Sequence, residues 1–350
     1  MRPLPRELPP VEDLGGGVWS IPVPIPGNPL GYTLVYALET PRGPVLVDAG
    51  WEHEDSWAAL ADGLRAAGSD PADVHGVVVT HFHPDHAGLA GRVRAASGCW
   101  IAMHHADAEM LRFVAEAGVG DGSGLETAQL RLAGAPEDQV AAYARTDPRL
   151  DPPAAPDTEL AHGELVDVPG RKLRTVWTPG HSPGHICLHL EDADRLFTGD
   201  HVLPRITPHI GLYPFTLPGG RPDDRDPLGA FLDSLAQITD TAPADVEALP
   251  AHEARFTGLA ERAAAIAAHH AERLDLLAAA LQRGPATLWE LCAALPWSRG
   301  WEAMGVVQRR LAASETAAHL RVLERRGLAV RTAPSTGPPP EVLTWRRAHG

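Results

Sequence analysis

The stretch VVVTHFHPDHAG, residues 77–88, places His81, His83, Asp85 and His86 within six positions, directly after an apolar, β-branched run. Imidazole and carboxylate groups crowded in this way are the donors of a divalent-cation site. A loop straight after a strand is the usual device for aiming them, because the strand is rigid and the loop can turn several side chains to one side. Alternation sets His81 and His83 on a common side, and a turn at Pro84 brings Asp85 and His86 round as a second cluster. One ion with an open catalytic position takes about three protein ligands. Four residues are therefore too many for one ion and too few for two.

Three later segments supply the remainder. TPGHSPGH offers His181, LFTGDH offers Asp200 and ALPAHE offers His252. Each follows an apolar run and is flanked by Gly or Pro, which permit tight backbone turns. His81, His83 and His181 then form one ligand set, and Asp85, His86 and His252 the other. Asp200 suits the bridge, since a carboxylate has lone pairs for both ions. Two metals lower the pKa of a shared water towards neutrality, giving a hydroxide that attacks a polarised carbonyl or phosphoryl group. Asp85 and Asp200 are the catalytic carboxylates in this scheme, directing that hydroxide. Ser182, beside His181, is read as shaping its turn and not as a nucleophile. His185, His189 and His201 flank ligand motifs and are assigned supporting or packing roles, His185 chief among them. His104, His105, His269 and His270 are expected on solvated helix faces.

The elements that must position these residues alternate. YTLVYAL and GPVLVDAG read as strands, SWAALADGLRAAG as a helix, VHGVVVT as a strand, HAGLAGRVRAASG as a helix and CWIAMH as a strand, an α/β pattern. Residues 104 to about 160 break the rhythm with two helices, HHADAEMLRFVAEAG and APEDQVAAYART, separated by the loose GVGDGSG, a candidate lid and hinge. Strands resume at KLRTVWTPG, HICLHLED and RLFTGD. A long Ala-rich helix is expected from Phe256 to Leu281, closed by Gly284 and Pro285. Short helices and a strand-turn-strand in the last 65 residues have the pattern of a small winged helix.

The bulk numbers narrow the function. The chain has 350 residues and a net charge of −15. Residues 281–350 hold ten Arg and five Glu, or +5, leaving −20 on the rest. An acidic body discourages nucleic acid and anionic membranes as partners, and the basic tail, with Arg321, Arg325 and Arg326, leaves a small opening for DNA. No apolar run reaches the roughly 18 residues of a membrane span. Cys99, Cys187 and Cys292 form no C-x-x-C pair, and the N-terminus has no signal-like apolar segment, so a cytoplasmic location is expected.

In order, LVDAG, THFHPDH, PGHSPGH, FTGD and PAHE resemble the five motifs of the metallo-β-lactamase-fold hydrolases with a glyoxalase II-like motif set, over roughly residues 15–260. The resemblance implies an αββα sandwich with the metals at one edge, the seven ligands as assigned, and Asp48 as the carboxylate that orients a ligand histidine. It also places PRITPHIGLYP near the metals, so Arg205, His209 and Tyr213 are candidate substrate contacts. The tail resembles a branch that ends in a winged helix. The expected division is a hydrolase domain at 1–260 with a helical insert at about 104–160, a connecting helix at 261–284 and a winged-helix domain at 285–350. Two departures concern the substrate: Glu253 stands where the family commonly has Gly, and 95 positions separate His86 from His181. The implied enzyme carries two divalent ions, zinc first with iron or manganese admitted. It cleaves an ester, thioester or lactone of a small molecule, alone or as a homodimer. The alternatives are an endoribonuclease of the same fold and a mononuclear iron persulfide dioxygenase.

Overall fold

The computed structural model describes residues 8–116, 123–146, 152–212, 225–332 and 342–348. Among the described residues, seven strands form the first sheet in chain order, from Glu12–Asp13 through Val18–Pro24, Tyr32–Leu38, Val45–Val47, Gly76–Val78 and Trp100–His104 to Thr158–Leu160. The early strands pair antiparallel and the later ones parallel. The first two parallel pairs are joined through the helices Glu54–Ala66 and Ala90–Ser97 and the third through the helical insert, as a parallel connection requires. The second sheet runs in the order Glu247–Pro250, Arg195–Gly199, Ile186–Leu190, Leu173–Trp177, Leu165–Val166. Its one parallel pair is bridged by the helix Pro227–Thr241.

Apolar patterning explains the layering. Tyr32–Leu38 is buried at every position, because one face meets the second sheet and the other the helices. Between the sheets lie Leu34, Tyr36, Leu38, Val47, Ile186, Leu188 and Phe197. Outside the first sheet, Leu46, Val77 and Ile101 pack under Leu60, Leu64 and Val93. Outside the second, Cys187 and Leu196 meet Leu228, Phe231 and Leu235. The result is helix, sheet, sheet, helix, the αββα order expected from the motifs.

After the sandwich come the helix Leu259–Leu281, the strand Ala286–Thr287, the helices Leu288–Ala294 and Val306–Arg325, and the antiparallel strands Ala329–Thr332 and Thr344–Arg347. The three strands pair in the order Ala286–Thr287, Thr344–Arg347, Ala329–Thr332. Leu277, Leu288, Leu320 and Trp345 of this unit belong to the same apolar cluster as Phe231 and Leu235.

Several local expectations need correction. Among the described residues the insert holds three helices, not two: Ser123–Leu132 lies between His105–Glu116 and Glu137–Ala144. Its apolar spacing is short and starts in the Gly-rich run, which hid it. Most of GVGDGSG, the expected hinge, lies outside the described residues. The long helix begins at Leu259, because Phe256 pairs with Ala248 in an isolated bridge. His104 ends a strand and is buried against Trp177, whose ring stacks on it at 5.2 Å. His270 is also buried, with Nδ1 3.2 Å from Nε2 of His319. Both histidines sit where two layers close, which helix periodicity alone does not reveal.

A continuous core predicts a single cooperative unfolding transition. Leu320→Ala should cost about 2–5 kcal/mol and shift far-UV dichroism and tryptophan fluorescence by the same amount in a urea titration. Two separated transitions would show that the C-terminal unit folds apart from the sandwich.

Candidate metal centre

Each of the seven residues sits just beyond the C-terminal end of a strand. Gly76–Val78 leads to His81, His83 and, through the single helical turn Pro84–Ala87, to Asp85 and His86. Leu173–Trp177 leads to His181, Arg195–Gly199 to Asp200 and Glu247–Pro250 to His252. The structure brings all seven together. His81 Nε2 lies 2.9 Å from His83 Nδ1 and 3.2 Å from His181 Nε2. His252 Nε2 lies 3.5 Å from Asp85 Oδ2, and His86 Nε2 3.7 Å from the same oxygen. Asp200 stands between the groups. Its Oδ2 is 3.5 Å from His181 Nε2, while its Oδ1 is 3.3 Å from His252 Nε2 and 3.6 Å from His86 Nε2.

The far side of each ring fixes its tautomer. His86 Nδ1 donates to Asp48 Oδ2 at 2.8 Å, His181 Nδ1 to the His209 carbonyl at 2.8 Å, and His252 Nδ1 to the Tyr32 carbonyl at 2.9 Å. The Thr80 hydroxyl donates to Asp48, so its oxygen accepts from His81 Nδ1 at 3.1 Å. All four imidazoles thus direct Nδ1–H outward and Nε2 inward, and Nε2 offers a lone pair wherever the ring is neutral. Two such lone pairs facing each other at 3.2 Å, those of His81 and His181, repel unless a cation lies between them. In the second group His86 Nε2, His252 Nε2 and Asp200 Oδ1 are buried without a hydrogen-bond partner. These donors fit divalent ions, and three sets of three have ligand atoms close enough to share one: His81, His83 and His181; His81, His86 and Asp200; Asp85, His86 and His252.

Charge divides the cluster into two halves. Burial holds His81, His83 and His181 below the usual imidazole range, His83 down to about 3, so they are neutral and can donate lone pairs. Burial acts the same way on His252, but the Asp200 and Asp85 carboxylates override it and hold its pKa up at about 10. His86 is likewise raised, by Asp85, Asp200 and Asp48. The carboxylate side of the cluster therefore attracts positive charge and the imidazole side offers lone pairs.

One supporting residue of this centre was not foreseen. Asp107, on the helix after the sixth strand, accepts from the Phe82 N–H at 2.9 Å, the Ser182 hydroxyl at 2.7 Å and the Gly184 N–H at 2.5 Å. It ties the His81 loop to the His181 loop, and Ser182 serves that tie. Burial still pushes its carboxyl up to about 6. Nothing in its neighbourhood along the chain marks it. His185 supports Asp200: its Nε2 accepts the Asp200 N–H at 3.2 Å, so its Nδ1 proton goes to the Thr178 hydroxyl at 2.8 Å.

Glu253 adopts a left-handed backbone, φ 76°, which explains why a glycine is common at this place. Its buried carboxylate accepts the N–H groups of Arg205 and Ile206 at 2.9 and 3.1 Å and pairs with the Arg205 guanidinium at 2.8 Å. Arg262 donates to the carbonyls of Leu203 and Ile206. Together they pin the segment whose His209 carbonyl holds His181. The departure at Glu253 was visible in the sequence, but its partner was not.

The cleft over the cluster has a volume of about 410 Å³. Asn28, Leu30, Ile206 and His209 line it on one side, and Arg310, Leu311 and Ser314 of the C-terminal helix on another. Of the expected substrate contacts, His209 lines this cleft, while Arg205 is turned onto Glu253 and is absent from its lining. Tyr213 lies outside the described residues.

Asp48 orients His86 directly and His81 through Thr80, so Asp48→Ala should weaken metal retention by about 10–100-fold, read by competition with a chromophoric chelator. Retention equal to wild type would show that the two rings hold their orientation without it. Glu253→Ala should free the 203–209 segment, seen as faster amide exchange there and at His181. Unchanged exchange would rule out that tie.

The model of the metallo-beta-lactamase superfamily matches residues 28–244, more than half of the chain. A metallo-beta-lactamase family protein from Thermus thermophilus is 32% identical and superposes with a TM-score of 0.76 over 96% of this chain and 100% of its own. A beta-lactamase domain protein from Burkholderia ambifaria is 27% identical, with a TM-score of 0.75 over 97% of this chain and 93% of its own. Coverage so high must include most of the C-terminal helices. Among curated relatives, the lactamase-like protein adaB of Aspergillus niger is 29% identical over 81% of this chain and 70% of its own length. The atrochrysone carboxyl ACP thioesterase of Passalora fulva is 28% identical over 67% of this chain, which spans about half (53%) of that protein. Motifs, sandwich and matches agree: the chain belongs to the metallo-beta-lactamase superfamily.

Proposed function

We propose that the protein is a dinuclear metal-dependent hydrolase of small-molecule thioesters or related esters and lactones. The observation that carries this reading is the placement of Asp200, with one oxygen towards His181 and the other towards His86 and His252. His81, His83 and His181 would hold one ion and Asp85, His86 and His252 the other. A complete second donor set favours two ions over a single iron, and hence hydrolysis over dioxygenation. Zinc suits the nitrogen-rich set best.

When bound, the ions supply Lewis acidity, lowering the pKa of water and polarising the carbonyl under attack. The remaining work falls to the chain. Asp85 lines the cleft beside His252, where its carboxylate can accept a hydrogen bond from the attacking water and hold the proton released. Leu30, Leu203 and Leu311 give the cleft an apolar wall that excludes competing water. Cleavage adds water across the acyl bond and yields a carboxylic acid and a thiol or alcohol, with no protein nucleophile.

A thioester is preferred because one relative is a thioesterase by name. The order of helices and strands after residue 285 supports reading the tail as a winged helix. Its helix Val306–Arg325 faces the cleft, which favours a role in substrate binding over one on DNA.

Metal analysis should find two zinc equivalents per chain, and thioesters should be turned over in a panel that also includes labelled single-stranded RNA. Asp85→Asn should lower kcat by about 100-fold or more. One iron per chain with oxygen uptake, or turnover of RNA alone, would overturn the proposal.

A further inference from the structure

His181 takes its orientation from a stretch of backbone, residues 203–212, that forms neither helix nor strand. Its Nδ1 proton goes to the His209 carbonyl at 2.8 Å. Backbone outside a ladder is held by contacts from neighbouring elements. Glu253 and Arg262 hold the first half of the stretch, from Leu203 to Ile206. The C-terminal helix Val306–Arg325 holds the second. Leu212 N–H donates to the Ser314 carbonyl at 3.1 Å, and the Ser314 hydroxyl donates to the Leu212 carbonyl at 2.9 Å. Glu315 Oε2 lies 3.6 Å from His209 Nδ1. A Cβ on Gly211 would lie 2.5 Å from both His209 Nε2 and Ser314 Oγ, so glycine permits this close approach.

The helix that bears Glu315 is itself anchored. Ala313, Ala318 and Leu320 pack in one apolar cluster with Phe231 and Leu277. His319 Nδ1 donates to the Glu315 carbonyl at 2.8 Å, so its Nε2 accepts from His270 Nδ1 at 3.2 Å. The turn is thereby tied to the helix Leu259–Leu281. Burial would raise the Glu315 carboxyl, but His209, His319 and Arg273 outweigh it and hold the pKa down at about 2. Glu315 therefore stays ionised as an acceptor at neutral pH. The contacts form a series from His270 through His319, Glu315 and His209 to His181. The other rings are oriented from within the sandwich: His86 by Asp48, His81 by Thr80 and His252 by the Tyr32 carbonyl.

We propose that Glu315 is a positioning residue for the His181 ligand, acting through His209, so that the C-terminal helix governs one of the two ion sites and not the other. The proposal rests on the dinuclear reading, which assigns His181 to the ion shared with His81 and His83. Without the Glu315 carboxylate the His209 ring loses its ionic partner, and its carbonyl is no longer fixed opposite His181 Nδ1. The His181 imidazole can then turn, and its Nε2 leaves its place 3.2 Å from His81 and 3.5 Å from Asp200. Groups that orient a metal-binding histidine from its far side are typically worth about 10–100-fold in affinity. His86 and His252 keep theirs, so the second ion is spared.

The test is competition for zinc between the full-length protein and a chromophoric chelator, with the two affinities resolved separately. Glu315→Ala should weaken one ion by about 10–100-fold and leave the other within about twofold. His209→Ala, which removes the ring and keeps the carbonyl, should reproduce this selective loss. The double variant should be no worse than either single one, because both act through one contact. Glu315→Gln, which keeps an oxygen acceptor for the ring, should restore most of the affinity. In the metal-free protein Glu315→Ala should quicken amide exchange at His181 and at 209–212, with 81–86 and His252 unchanged. Equal loss of both ions would mark a general structural role and overturn the proposal, as would unchanged affinities in both single variants. A wild type that holds one ion per chain fails the dinuclear reading and this inference with it, whereas two ions without a selective loss fail the positioning role alone.

Discussion

The far-side hydrogen bonds of four histidines are the constraint on which the centre depends. A histidine can present either nitrogen, and a cluster of flexible rings would scatter its lone pairs. Here Asp48, Thr80 and the carbonyls of Tyr32 and His209 each take an Nδ1 proton, so the opposite nitrogens converge. Asp48 achieves this from a left-handed backbone, φ 61°, an unfavourable conformation for a residue with a side chain. The turn aims its carboxylate at Thr80 and His86 together. Strain in the backbone is offset by the hydrogen bonds that this one buried acid accepts from the Thr80 N–H, the Thr80 hydroxyl and the His86 ring.

The scaffold makes this arrangement rigid. The loops that carry the seven residues leave strands of the two packed sheets, so their starting points are held by a close-packed core. The loops are then tied to one another, the His81 loop to the His181 loop through Asp107, and the His252 loop to the 203–209 segment through Glu253. Gly180 illustrates how close the layers come. Its φ is 138°, and a Cβ there would lie 2.4 Å from Phe231 on the covering helix. The His181 turn is therefore pressed against the core and cannot swing outward.

The C-terminal unit forms part of the cleft wall. It shares an apolar core with the second sheet's covering helix, and it lays Arg310, Leu311 and Ser314 along the cleft. The seven donors form the base of the cleft, while Arg310, Leu311 and Ser314 of the tail line part of the space above them.

The sequence by itself determined seven candidate donors, their order and the strand-then-loop placement of each, because spacing and alternation are local properties that survive in one dimension. The layered fold was implied by the family resemblance that those motifs carry. It also exposed Asp48 and the departure at Glu253, each beside a motif. Contacts between distant segments were illegible. Asp107 bonding Phe82 and Gly184, Glu253 capping Arg205, the burial of His104 and His270, and Arg310 beside the cleft all join parts of the chain that no local pattern relates. Only the packed layers decide which of those side chains meet, since burial and partner are consequences of closure and not of residue type.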